Sequence, residues 1–317
     1  MNMANLLTLA AAVPSKSVQA TGWFLETAWL IPALPALSFF LILFFGKKMK
    51  YKGAEFGITA IALSLILAIC CVGQWMNQVD NASDNYKKNT PYETEEKYSE
   101  TSSQVLEENA SAEPIEVASA EQMNIYAAGE ESGYEAVAVD AVIERFTWWE
   151  TGGKKFQVGI MVDGLAVMML FVVTVISLLV HIYSTDYVSG DRRYTHYFAF
   201  LSLFSASMLF FVLSENILQT IVGWELVGVC SFALIGHWWE EKPNSDAALK
   251  AFLTNRVGDM GLLVGMIILF WSAGSWSIVD INVAAINNEI GQTTLLIASL
   301  CLTCLLYTSP SPRDSYG

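Results

Sequence analysis

Residues 217–239 read ILQTIVGWELVGVCSFALIGHWW, and Glu225 is the one formal charge among them. An α-helix rises 1.5 Å per residue and the hydrocarbon core of a bilayer is about 30 Å thick, so about 20 apolar residues cross it. This run is long enough to span. Glu225 lies about eight residues in, about 12 Å at the helical rise, and so falls near mid-membrane. An acid at that depth costs at least about 2.5–3.5 kcal/mol on insertion scales, so it should face protein or a water-filled cavity, and function is its default reading. The plainer reading is a static buried ion pair or a polar tie between helices. Desolvation and a nearby cation act on a carboxylate in opposite senses, and a group poised between them loads and releases a proton near neutral pH.

The next apolar run supplies polar company in SDAALKAFLTNRVGDMG, residues 245–261. Arg256 and Asp259 are three apart, share a helix face and can pair with each other. Lys250 stands six residues before Arg256, on a rather different face and within about a turn of the helix start, where a lysine snorkels to the interface. Ser245 or Asp246, after Pro243, offers a helix N-cap. Gly223 and Gly228 flank Glu225, and Gly258, Gly261 and Gly265 follow Arg256; such residues let helices approach closely.

Further uncharged runs extend the pattern: Thr27–Gly46, Phe56–Met76, Gly164–Val180, Tyr197–Ser214 and a seventh beginning near Thr293. Pro32 and Pro35 are expected to kink the first. The 317 residues are 54% apolar and 15% charged, with a mean hydropathy of +0.42, too few charges to solvate one soluble globule of this size. A net charge of -14 argues against nucleic-acid binding, which needs a basic face. The expected fold is all-α, a polytopic membrane helix bundle of six complete transmembrane helices and a truncated seventh. The short-loop bases Lys47, Lys48, Lys50, Lys52, Arg192, Arg193, Lys242 and Lys250 fall on one side if the N-terminus is outside.

The acidity is local. Between Asp80 and Glu144 lie 16 acids and three bases, and the remainder is close to neutral. The chain divides into a lead-in (1–26), two spans (27–76), an acidic, largely disordered outer loop (77–155), spans three to seven (156–303) and a tail (304–317). The loop is poor in large aliphatics, a composition that cannot offset ordering entropy. The tail opens CLLYTSPSPRD and resembles the translation of a common sequencing adapter, so the genuine sequence is expected to stop near Thr303 and the gene to continue. Cys301 and Cys304 would then be a junction accident, not a redox or zinc pair. The five cysteines make no disulfide framework, and neither a nucleotide-binding fingerprint nor a His-rich metal pattern is present. His181, His196 and His237 fall at or near span ends as interfacial or hydrogen-bonded residues, with His181 a candidate extension of a proton path. Trp148, Trp149, Trp238 and Trp239 read as interfacial belts.

Three motifs in order, H-x-Y-S at His181–Ser184, G-W-E-L-V-G at Gly223–Gly228 and N-R-V-G-D at Asn255–Asp259, carry a resemblance. With the early LIPALPALSFFLILFFG, they make Trp29–Met76 and Gly159–Ile281 similar to the antiporter-like subunit L of bacterial NADH:quinone oxidoreductase, respiratory complex I, which is itself related to a component of multisubunit Na⁺/H⁺ antiporters. The acidic loop and the tail lie outside the resemblance. It implies that Glu225 is the essential intramembrane glutamate, that Arg256 and Asp259 modulate the charge state of a neighbouring ion pair, and that Lys250 takes a less defined part. The family's main proton-carrying lysine, in its seventh helix, is expected beyond the break.

The resemblance implies a proton-translocating subunit of an enzyme, with no redox site or cofactor in this chain; flavin, iron–sulfur clusters and quinone would belong to partner subunits. Its partners would be other complex I membrane subunits, the bilayer and protons, and its location a bacterial plasma membrane in preference to a mitochondrial inner membrane. Two alternatives stand beside this: the corresponding component of a multisubunit Na⁺/H⁺ antiporter, and a membrane scaffold displaying the acidic loop.

Overall fold

The computed structural model describes residues 17–19, 22–49, 51–89, 138–151 and 154–308. Two compact units divide the chain, one of residues 1–19 and 76–140, the other of residues 20–75 and 141–317. In the first, β1 (Ser17–Gln19) pairs in parallel with β2 (Ala138–Asp140). The intramembrane charges Glu225, Arg256 and Asp259 lie in the second.

That unit begins with the short α1 (Trp23–Glu26) and α2 (Leu30–Phe45), followed by a 3₁₀ turn at Gly46–Lys48. Pro32 falls in the first turn of α2, where a missing N–H costs nothing. Pro35 lies inside, and its absent donor would strand the carbonyl of Ile31. The Ser64 hydroxyl donates to that oxygen at 2.9 Å, from α3 (Ala54–Asn89). Hydrocarbon offers no water to do so, which makes this cross-helix bond the condition for a proline at that depth.

Four further spans follow: α4 (Gly164–Tyr187), α5 (Tyr194–Val212), α6 (Ile217–Ile235) and α7 (Lys242–Ala273). With α2 and α3, six helices among the described residues are long and apolar enough to cross a membrane. This is a polytopic membrane protein. The short α8 (Ile278–Ile286) and α9 (Gln292–Thr308) are the last elements among the described residues, and α9 packs along α7. Gly265 permits that approach, because a Cβ there would stand 3.0 Å from the Ala298 carbonyl. Gly223 does the same between α6 and α5, where a Cβ would meet Phe211 Cα at 2.9 Å.

Several expectations need correction. Of the stretch 77–155, read as disordered loop, residues 77–89 continue α3, since neither glycine nor proline interrupts the chain between Gly73 and Pro91. Residues from Val142 form an antiparallel hairpin, β3 (Val142–Thr151) with β4 (Lys154–Val162), whose β-branched and aromatic residues outweigh the local charge. Residues 90–137 and the tail from 309 lie outside the described residues. The stretch 276–292 contains α8, which buries Ile281 and Ala284 against α7 and α9. The N-cap of α7 is Glu241, not Ser245 or Asp246, because Pro243 suits the first helical turn.

The loops sort into two ends. At one, the Arg193 guanidinium meets Glu240 at 2.5 Å, and Asp191 accepts from Trp238 at 2.8 Å and pairs with His237 at 3.1 Å. The turn at Gly46 touches Thr195 there too, so Lys47, Lys48, Arg192, Arg193 and Lys242 share this end. Asp191 titrates below the usual carboxylate range, chiefly because the Arg193 N–H donates to it, with Trp238 and His237 adding to the effect against partial burial. At the other end the β3–β4 hairpin covers the α5–α6 turn. Met161 N–H donates to the Leu213 carbonyl at 3.0 Å, and Asn216 donates to the Gln157 carbonyl at 2.7 Å. Glu215, 1% exposed, accepts from Arg145 Nε and from the Ser277 hydroxyl at 2.8 and 2.7 Å. Ser277 occupies the N-cap position of α8 but spends its hydroxyl on Glu215.

Candidate functional site

Helices α6 and α7 run antiparallel in a fixed register. Phe232 packs on Phe252, a Cβ at Gly236 would touch Ala248, and Gly228 faces Arg256. Each step along α6 is matched by a step back along α7. The same register brings the intramembrane charges together: Glu225 forms an ion pair with Arg256 through Oε2 and Nη1. Arg256 Nη1 also lies 3.5 Å from Asp259 Oδ2, and Trp224 donates its indole N–H to Asp259 Oδ1 at 2.9 Å. The guanidinium sits 4.6 Å over the Phe252 ring, a cation–π contact that supports it from below.

Two carboxylates therefore share one guanidinium. Arginine keeps its charge at any pH a protein meets, so with both acids ionised the trio carries one net negative charge, which a single proton cancels. Asp259 is nearly buried at 7% side-chain exposure and has a second donor in Trp224, whereas Glu225 is 30% exposed and depends on Arg256. Opposite Arg256 stands Gly228, where even an added Cβ would remain 4.0 Å from Nη2. That space lets the guanidinium lean toward either acid.

Lys250 is not part of this group. It is exposed, has no ion-pair partner among the described residues, and in the α6–α7 register stands level with Leu234, about 13 Å along the axis from Glu225. His181 is also elsewhere, and deeper than expected. It is 0% exposed among α3, α4 and α5, with Nδ1 2.8 Å from the Ser177 carbonyl and Nε2 3.4 Å from the Ser202 hydroxyl. A Cβ on Gly57 of α3 would press on its ring at 3.2 Å. The placement at a span end fails because α4 continues to Tyr187, a turn and a half past His181. Ser177 pairs with Ser205 nearby, and Ser184 with Tyr197 at 3.3 Å, so His181 lies in a row of hydroxyls on the far side of α5 from Glu225. His196 is exposed at the start of α5, and His237 is the buried partner of Asp191.

Sequence reasoning missed Trp224, Phe252 and the Arg145–Glu215 pair. The indole beside Glu225 in G-W-E was a usable signal, since a buried tryptophan N–H requires an acceptor.

Residues 214–310 match the family model described as NADH:quinone oxidoreductase/Mrp antiporter, TM, and residues 148–198 the model described as NADH-ubiquinone oxidoreductase (complex I), chain 5 N-terminus. Both matched stretches are similar to the complex I subunit 5/Mrp antiporter-like membrane subunits that these models describe. The Glu225 trio falls wholly within the first matched stretch. Among curated relatives, a chloroplast NAD(P)H-quinone oxidoreductase subunit 5 of Physcomitrium patens is 42% identical over 182 residues, 56% of this chain and 25% of its own. NAD(P)H-quinone oxidoreductase chain 5 of a Synechocystis strain is 46% identical over 129 residues, 41% of this chain and 19% of its own. The chain thus spans about a quarter or less of the length of these relatives. In fold it is similar to a chain of the Mrp complex of a Dietzia strain, with a TM-score of 0.59 and 17% identity, covering 89% of this chain and 23% of that one. A chain of an archaeal membrane-bound sulfane sulfur reductase gives 0.61 at 15% identity, covering 92% and 46%.

Proposed function

We propose that this chain is a proton-translocating, subunit L-like membrane component of an NAD(P)H:quinone oxidoreductase, and that Glu225 is its proton-carrying group. The observation that carries the reading is the two-acids-to-one-arginine trio at mid-membrane. With Glu225 ionised, Arg256 pairs with it. When Glu225 takes up a proton the pair loses its charge attraction, and the guanidinium leans to Asp259, already 3.5 Å away and held by Trp224. Return of Arg256 favours the carboxylate and expels the proton. A conformational input that moves α7 relative to α6 by a fraction of a turn sets which acid holds the arginine. Redox chemistry, with its flavin, iron–sulfur and quinone groups, belongs on this reading to partner subunits. Lys250 and the buried His181 are auxiliary, on routes to or from the trio.

The cation-rich end faces the cytoplasm and the β3–β4 hairpin the outside, as the distribution of short-loop bases argues. A bacterial plasma membrane is the proposed location; relatives also include chloroplast proteins. The test is Glu225→Gln in the assembled complex, in inverted vesicles energised with NADH. Electron transfer that continues while the proton gradient falls supports the reading, and unchanged proton pumping overturns it. The first family description also covers Mrp antiporters. A gradient driven by Na⁺ in place of NADH, and abolished by the same substitution, would assign the chain there.

A further inference from the structure

Arg256 is drawn in two directions, and acids wait in only one of them. In the α6–α7 register Phe232 stands level with Phe252 and Gly228 with Arg256, so Glu225 stands level with Asp259. Both acids therefore lie three residues beyond the level of Arg256, about 4.5 Å further from the cation-rich end. An arginine on this helix leans the other way. Its Cα–Cβ bond tilts toward the helix N-terminus, which for α7 is the cation-rich end. In a bilayer a guanidinium also snorkels to the nearer interface. By helical rise Arg256 is about 21 Å from the start of α7 and about 26 Å from its end, so lean and snorkelling point the same way.

Phe252 stands one turn back along that way. Its ring meets the guanidinium at 4.6 Å. Behind it Phe232 of α6 packs at 5.2 Å, so the ring is braced by a second helix. The attraction of a cation to a ring face strengthens as water is removed, and it needs no formal charge. That neutrality matters here. The ring takes no proton, so it competes with neither acid, and it draws Arg256 alike whichever carboxylate the guanidinium favours. A leucine in its place would fill the space and leave the cation without a partner on that side.

We infer that Phe252 is a positioning residue of the trio: braced by Phe232, its ring face keeps Arg256 at the depth of the two acids while the guanidinium passes between them. The inference rests on the reading of Glu225 as the proton-carrying group.

The test replaces Phe252, in the assembled complex, by phenylalanines carrying one, two and three ring fluorines. These drain the negative ring face stepwise and scarcely alter its size. Proton pumping in inverted vesicles energised with NADH should fall at each step, to at most about one-fifth of the unaltered rate with three fluorines, while assembly and electron transfer hold. Phe252→Trp, whose ring binds cations better, should keep pumping, and Phe252→Leu should lose it as the trifluorinated ring does. A packing role alone predicts the opposite order, since fluorine changes little and tryptophan overfills the contact with Phe232. Glu225→Gln, run in parallel, separates the two readings. If that substitution stops pumping while the fluorinated series stays level, the role of Phe252 is overturned and the proton carrier stands. If pumping survives Glu225→Gln, both fall.

Discussion

Two glutamate–arginine pairs among the described residues, Glu215 with Arg145 and Glu225 with Arg256, have opposite characters. Glu215 is 1% exposed, faces one arginine and one hydroxyl, and ties the hairpin, the α5–α6 turn and α8 together. Glu225 is about a third exposed and shares its arginine with Asp259. In the first, no second acid among the described residues bonds to the arginine, so the pair is a fixed joint. In the second, acids outnumber cations and a glycine leaves room beside the guanidinium. A buried charge pair is thus no evidence of function by itself; stoichiometry and free space separate a relay from a staple.

The comparison breaks most sharply on activity. Glu225→Gln keeps the volume and an oxygen that Arg256 can reach, so folding should survive while proton transfer falls by at least about tenfold, about 1.4 kcal/mol of barrier, read as dye quenching in vesicles. If transport survives that change, the distinction between the two pairs is lost. Glu215→Ala should do the reverse. It should cost about 2–3 kcal/mol of stability, the usual loss for a broken buried pair discounted because Arg145 is partly exposed, read as a lower thermal transition in detergent with the pH profile of transport unmoved. Gly223→Val probes the scaffold that holds the α6 register; a side chain forced against Phe211 Cα should cost about 1–3 kcal/mol. Asp191→Asn gives a smaller, pH-dependent effect. The depressed folded-state value of Asp191 means its stabilisation is present above the unfolded value of 3.8 and is lost as pH falls through the lower folded one. The variant should therefore be less stable by under about 1 kcal/mol at pH 7, and the difference should vanish in strong acid. Lys250→Ala should change stability least, within about 0.5 kcal/mol.

Much of this was legible in the residues. Uncharged runs gave the spans because the bilayer sets their length, and Glu225 announced itself because an acid in hydrocarbon requires company. The Arg256–Asp259 spacing placed both on one helix face. What the spacing did not give is the tighter partner: that Arg256 reaches Glu225 depends on the α6–α7 register, which is a matter of packing. The same limit hid Arg145 and Glu215, 70 residues apart and joined by a hairpin whose alternating aromatics lay beneath a dominant charge signal. His181 was misplaced for a smaller reason, since polar residues at the end of α4 hid its last turn and a half.

The serine that answers Pro35 has an implication for how the first two spans assemble. An isolated α2 inserted into lipid would carry an orphan carbonyl at Ile31 until α3 arrives with Ser64, so the two helices have cause to enter and mature as one hairpin. Removing that hydroxyl should strand the same carbonyl in the finished bundle, at a cost of about 1–3 kcal/mol, and slow its biogenesis as well.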